Sequence, residues 1–322
     1  MPDKPHRIDV QHHILPSAYI AIAGKERIGA PAPGGCPQWR LEQSLAIMER
    51  NGVATAVLSI SAPGIWFGDI EATRGLAREC NEFAARIVKD HPNRFGMFAS
   101  LPLPAVDHSL AEIAYAFDVL GADGIVLMSN FDDRYLGDAL FSPIFDELNR
   151  RNAVVMIHPT LPTDGLRRQP EIPELNPSAL EFPFDTTRTV TSLLYSGTLA
   201  RCSNIRFIIP HAGGTIPFLI QRITALSLRN REIAKRVPEG VVHYLQRLFY
   251  DIASSANIYT FASLLQLVSP SHILFGSDYP FGPETRMADT IVKLGAYGFD
   301  ATELHEIERN NAVRLFPRLA SS

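Results

Sequence analysis

Short apolar runs alternate with longer amphipathic ones along nearly the whole chain, and no other feature limits the fold so strongly. The strand candidates begin at Ile8 and continue at 54–60, 95–103, 124–130, 153–159, 205–210, 248–254 and 272–275. Helical periodicity fills the gaps at 39–50, 71–90, 107–120, 142–151, 186–200, 216–229 and 259–267, and again at 285–294 and 302–316. The 54–60 run, apolar with little alternation, has the pattern of a strand covered on both faces. Strand–helix alternation predicts a parallel sheet, and eight units predict an α/β fold of the (β/α)8 TIM barrel type. A doubly wound open sheet would want a glycine-rich phosphate fingerprint after the first strand, and the sequence has none there. No break in composition divides the 322 residues. The expectation is therefore one barrel domain over 1–322, with loop insertions near 17–38 and 160–185, both rich in proline.

Composition narrows the partners. The chain is 46% hydrophobic and 20% charged, with a formal charge of −4 spread along it. That leaves no basic patch for nucleic acid and no polybasic membrane anchor. No apolar run reaches the roughly 18–20 residues a membrane span needs, and the first six residues do not read as a signal peptide. Cys36, Cys80 and Cys202 are odd in number and widely spaced, which suits a reducing, cytoplasmic setting better than a disulfide framework. A small-molecule partner is expected.

The catalytic groups of a barrel collect at the C-terminal ends of its strands. Those ends carry Gln11 and His13 on the first strand, Asn130 on the fourth, His158 on the fifth, His211 on the sixth and Asp278 on the eighth. Alternate residues of a strand share a side, so Gln11 and His13 project together and His12 faces away as a structural residue. Imidazole and carboxylate brought to one point suit a single divalent ion, zinc or manganese. Trp66 and Phe67 stand in the loop after the second strand, where they read as pocket wall.

These same residues carry a family resemblance. Gln11-His12-His13, Ile157-His158-Pro159, Pro210-His211-Ala212-Gly213-Gly214 and Gly276-Ser277-Asp278-Tyr279-Pro280 resemble, in order and over essentially the full length, the amidohydrolase superfamily. The similarity is to its aminocarboxymuconate-semialdehyde decarboxylase branch. Within that branch, residues 61–69 and 93–130 look most like 6-methylsalicylate decarboxylases. The resemblance implies that His13, His158 and Asp278 are metal ligands and that His211 is a catalytic or metal-supporting base. It also implies a homodimer. The family usually has His at position 11, and some aromatic-acid decarboxylases have Glu. Gln11 offers a carbonyl oxygen without charge, so it either coordinates weakly or hydrogen-bonds a metal-bound water. Ser44 stands where muconate-semialdehyde decarboxylases carry a substrate-binding arginine, which argues against that substrate.

The expected activity is metal-dependent, non-oxidative decarboxylation of a small aromatic acid of the ortho-hydroxybenzoate, salicylate-like type. By the resemblance, Asp278 donates the proton to the ring and His211 tunes or relays it. Trp66, Phe67, Phe184 and Phe281 supply apolar walls, and Asn130 contacts either substrate or backbone. Two alternatives stand beside this: a metal-dependent hydrolase or hydratase, and a metal-free barrel that only binds an aromatic acid.

Overall fold

The computed structural model describes residues 6–32, 34–132, 134–161 and 175–321. Its main sheet has eight strands in chain order: β1 Arg7–His13, β2 Val53–Ser59, β3 Phe95–Ser100, β4 Gly124–Met128, β5 Val154–His158, β6 Arg206–Ile209, β7 Phe249–Asp251 and β8 Ile273–Leu274. Each pairs in parallel with the next. The ends of the sheet meet: Val10 N donates to Phe275 O (3.0 Å), Asp278 N to Gln11 O (2.9 Å) and His13 N to Tyr279 O (2.7 Å). The sheet is thus the expected barrel.

One buried carboxylate fastens this seam. Asp9, fully buried, accepts from Ser277 N (3.0 Å), Gln11 N (3.1 Å), Ser277 Oγ and His12 Nδ1 (3.0 Å). His12 turns its other nitrogen to Ser44 Oγ (3.1 Å) and packs its ring on Tyr279. It is structural, as its position in the strand implied, and Ser44 is buried against it.

A principal helix follows each strand: α1 Leu41–Arg50, α2 Ile70–Asp90, α3 Val106–Asp118, α4 Ser142–Arg150, α5 Glu181–Tyr195, α6 Ile216–Arg229, α7 Ile258–Leu264 and α8 Glu284–Ala296. In α2 the residues Leu76, Ala77, Cys80, Ala84 and Ile87 recur at three- and four-residue spacing and bury one face, while Asp69 caps the first turn by accepting from Ala72 N.

Three expectations need adjustment. The 17–38 segment is not simply a loop: it holds helices Ser17–Ala23 and Lys25–Gly29, which bury Tyr19 and Ile28. Of the expected 160–185 loop, residues 162–174 lie outside the described residues, and its end is already helical because α5 begins at Glu181. The 302–316 helix is interrupted by a π turn over Glu306–Asn310, where the Ile307 carbonyl accepts from Phe275 N of the barrel (3.1 Å). No helix among the described residues is long and apolar enough to cross a membrane, and all three cysteines are free.

Candidate active site

Strands β1, β5 and β8 deliver His13, His158 and Asp278 to one point, where one ligand atom from each lies within 4.8 Å of the others. Each imidazole is held by its other nitrogen. His158 Nδ1 donates to Pro159 O (2.8 Å), and His13 Nδ1 lies 2.9 Å from Ser59 Oγ. That leaves both Nε2 atoms for the centre, the arrangement in which outer partners orient histidine ligands. His13 Nε2 is 3.1 Å from Asp278 Oδ1. Burial, aided by the neighbouring His13, lowers His158 to about 3, so the ring stays neutral, the form that binds a metal. Burial alone would raise Asp278. Hydrogen bonding to His13 and His211, together with their charges, outweighs burial and holds the carboxyl far below its usual range. The donor set fits a divalent ion.

The backbone here is unusual. His211, Ser254 and Asp278, after β6, β7 and β8, have φ values of 53°, 54° and 62°. Left-handed backbone at non-glycine residues persists only where the surroundings impose it. Asp251, at the end of β7, supplies part of that restraint by accepting from His211 N (3.3 Å) and Ala253 N (3.0 Å). The two glycines after His211 have a steric reason. A Cβ on Gly214 would come within 2.3 Å of Pro183 O, and one on Gly213 within 2.7 Å of Tyr250.

Gln11 sits between Asp251 and His211, all three buried. Only one amide orientation satisfies both neighbours. Its nitrogen donates to both Asp251 oxygens (2.9 Å each), and its oxygen accepts from His211 Nε2 (3.2 Å). The opposite orientation would set the amide oxygen against both Asp251 oxygens, whereas in this one it lies 3.3 Å from Asp278 Oδ1. The carbonyl oxygen therefore faces the ligand cluster, as a weak neutral ligand would. Asp251 takes a burden that the sequence reading missed: burial raises its carboxyl to about 7, against the lowering effect of His211. His211 stands between two carboxylates, with Nε2 3.8 Å from Asp278 Oδ2. Burial lowers its pKa, but Asp278 and then Asp251 reverse this, and the ring is raised above the usual imidazole range. Its Nδ1 is buried and has no partner among the described residues.

Two adjoining cavities open at this end of the barrel. The one at the ligand cluster has a volume of about 350 Å³ and is lined by Asp278, His211, Phe182, Phe281, Ser254 and Arg286 among others. Phe281 meets His13 edge-on at 5.8 Å, and Phe182 meets His158 at 6.0 Å. Phe184 does not share the wall. It lies on the outside of α5, 42% exposed, and lines neither cavity. Because the helix starts at Glu181, Phe182 takes the inward position. Trp66, Phe67 and Asn130 line the second cavity, not the one at the ligand cluster. Asn130 is also committed to structure, with Nδ2 donating to the Asp185 carboxylate (3.3 Å). Arg286, Asp251 and Phe182 carry no motif of their own, so sequence alone did not single them out.

The amidohydrolase family profile matches residues 8–318, and the chain belongs to that family. It is 38% identical over 330 residues to a 6-methylsalicylic acid decarboxylase of Aspergillus aculeatus, covering 97% of this chain and 96% of the relative. Among solved structures it resembles an amidohydrolase with a TM-score of 0.88 and 27% identity, covering 97% and 99% of the two chains. It also shares its fold with a dihydroxybenzoic acid decarboxylase of Polaromonas sp. JS666, solved with manganese and 2-nitroresorcinol. That likeness has a TM-score of 0.82 at 20% identity and covers 97% of each chain.

Proposed function

We propose that this protein is a carboxy-lyase that removes the carboxyl group of a small aromatic acid bearing an ortho-hydroxyl, with the help of one divalent ion. The observation that carries the reading is the convergence of two imidazoles and one carboxylate within 4.8 Å at the mouth of the barrel. The decarboxylase relative, aligned over nearly the whole chain, favours this chemistry over hydrolysis or mere binding. His13, His158 and Asp278 would hold the ion, zinc or manganese, with the Gln11 carbonyl as an additional neutral donor. When bound, the ion supplies a Lewis acid for the oxygens of the substrate.

The chain's own groups handle the ring and the proton. Phe281 and Phe182 present apolar faces to a flat ring and keep water from it. His211, flanked by Asp251 and Asp278, carries the proton that the ring carbon takes up. The carbon–carbon bond then breaks, its electron pair stays with the ring as aromaticity returns, and carbon dioxide leaves. Asp278, with Oδ2 3.8 Å from His211 Nε2, is within reach to share that proton, the donor role expected from the resemblance. The three free thiols accord with a cytoplasmic setting.

Elemental analysis of protein purified without chelator, combined with carbon dioxide release from salicylate and 6-methylsalicylate, tests the reading. A stoichiometric zinc or manganese content, lost together with activity on chelation and restored with metal, is expected. Protein that retains neither metal after incubation and releases no carbon dioxide from hydroxybenzoates would overturn it.

A further inference from the structure

One charged side chain lining the cavity beside Asp278 and His211 plays no part in the mechanism above. Arg286, in the first turn of α8, is the only lysine or arginine among the described residues lining it. Its Nη1 donates to Ser254 Oγ (3.3 Å), and Ser254 Oγ in turn lies 3.4 Å from Asp278 Oδ2. No carboxylate of the described residues pairs with the guanidinium. Glu284, two residues earlier, is held instead by a bidentate pair with Arg50 (2.8 and 2.8 Å).

The path of the side chain is built into the loop before it. A Cβ on Gly282 would come within 2.9 Å of Ser277 O and 3.3 Å of Arg286 Cδ. Glycine at that position is what lets the arginine stem lie across the turn that carries Asp278. A guanidinium offers five donors and no acceptor. Here one is engaged by a neutral hydroxyl, on a side chain that lines the cavity beside Asp278 and His211.

We infer that Arg286 receives the carboxylate of the aromatic acid and so sets the preference of this site for anionic over neutral ring substrates. The inference rests on the decarboxylase reading and adds to it the residue that recognises the group to be lost. A planar fork matched to a planar carboxylate gives both orientation and charge compensation. The carboxylate leaves as neutral carbon dioxide, so the phenol product has nothing for Arg286 to hold. Arg286 therefore acts on substrate binding more than on the barrier, and its loss shows mainly in KM.

The test compares wild-type, Arg286→Lys and Arg286→Gln proteins, each loaded with metal and checked for an unchanged melting temperature. Calorimetric titration with salicylate and with uncharged salicylamide gives the binding of each. Salicylate affinity is expected to fall roughly 10- to 100-fold in Arg286→Gln. It should recover in part in Arg286→Lys, while salicylamide affinity stays the same. The KM for decarboxylation should rise with kcat within about threefold. Equal losses for both ligands, or unchanged salicylate binding, would overturn the assignment while leaving the decarboxylase reading intact. Wild-type protein that binds neither ligand and decarboxylates no hydroxybenzoate would remove the reading and this inference together.

Discussion

Asp278 and Asp185 are both carboxylates drawn toward the C-terminal end of the barrel, yet their surroundings differ in kind. Asp185, on α5, is fully buried and satisfied by neutral donors: Ser129 Oγ, Tyr135 Oη (2.9 Å), Asn130 Nδ2 and Thr160 N (3.4 Å). It ties α5 to the ends of β4 and β5. Burial raises its carboxyl, and these hydrogen bonds only partly offset that. Asp278 is surrounded by imidazoles, faces a cavity and is held ionised. A carboxylate met by hydroxyls and amides is a clasp, whereas one met by histidines beside an open volume can do chemistry.

The contrast can be broken from either side. On the reactive side, His211→Asn removes the proposed proton source. A fall in kcat of roughly 10²- to 10⁴-fold with metal content unchanged is expected; a loss below tenfold would take His211 out of the proton path. Gln11→Glu sets a second carboxylate against Asp251 at about 2.9 Å. Like charges at that distance cannot both ionise without cost, so the variant should melt several degrees lower. Gln11→Glu combined with Asp251→Asn should recover the melting temperature. Equal melting of the single and double variants would show that the two side chains are not coupled.

On the clasp side, Asp185→Asn should cost about 1–3 kcal/mol of stability with metal content unchanged. Because the folded-state pKa of Asp185 is raised, its contribution is fully present below the ordinary carboxylate range and is lost as pH rises through the raised value. The difference in melting temperature between wild type and variant should therefore be largest near pH 4 and shrink as pH increases. A gap that widened with pH would mean that the carboxylate form is the stabilising one, and the comparison with Asp278 would fail.

The barrel was legible because strand and helix periods are local properties. The 216–229 helix was read with its observed bounds, and the other principal helices overlap their expected segments. His13, His158, His211 and Asp278 were legible for a related reason. Each stands at a strand end, and a parallel barrel brings all such ends to one face whatever the intervening loops do. Where the reading slipped, the cause was a choice of phase or partner. Phe184 was taken for a wall because the start of α5 was placed five residues late, and a helix turns about 100° per residue. Asn130 could be read only as a contact to substrate or to backbone, because the side chain it bonds, Asp185, lies 55 residues away.

What the sequence determined by itself is the set of groups at the strand ends and the parallel barrel that gathers them, since both follow from patterns a few residues long. Tertiary structure decided their states. It placed Asp251 against Gln11 and so turned the amide oxygen toward His211 and Asp278, set His211 between two carboxylates, and left Arg286, bonded to Ser254, with no carboxylate partner among the described residues. Charge, protonation and orientation depend on neighbours brought from distant parts of the chain. In a buried site those neighbours interact at low dielectric, where a few ångströms decide whether a residue is clasp, ligand or acid.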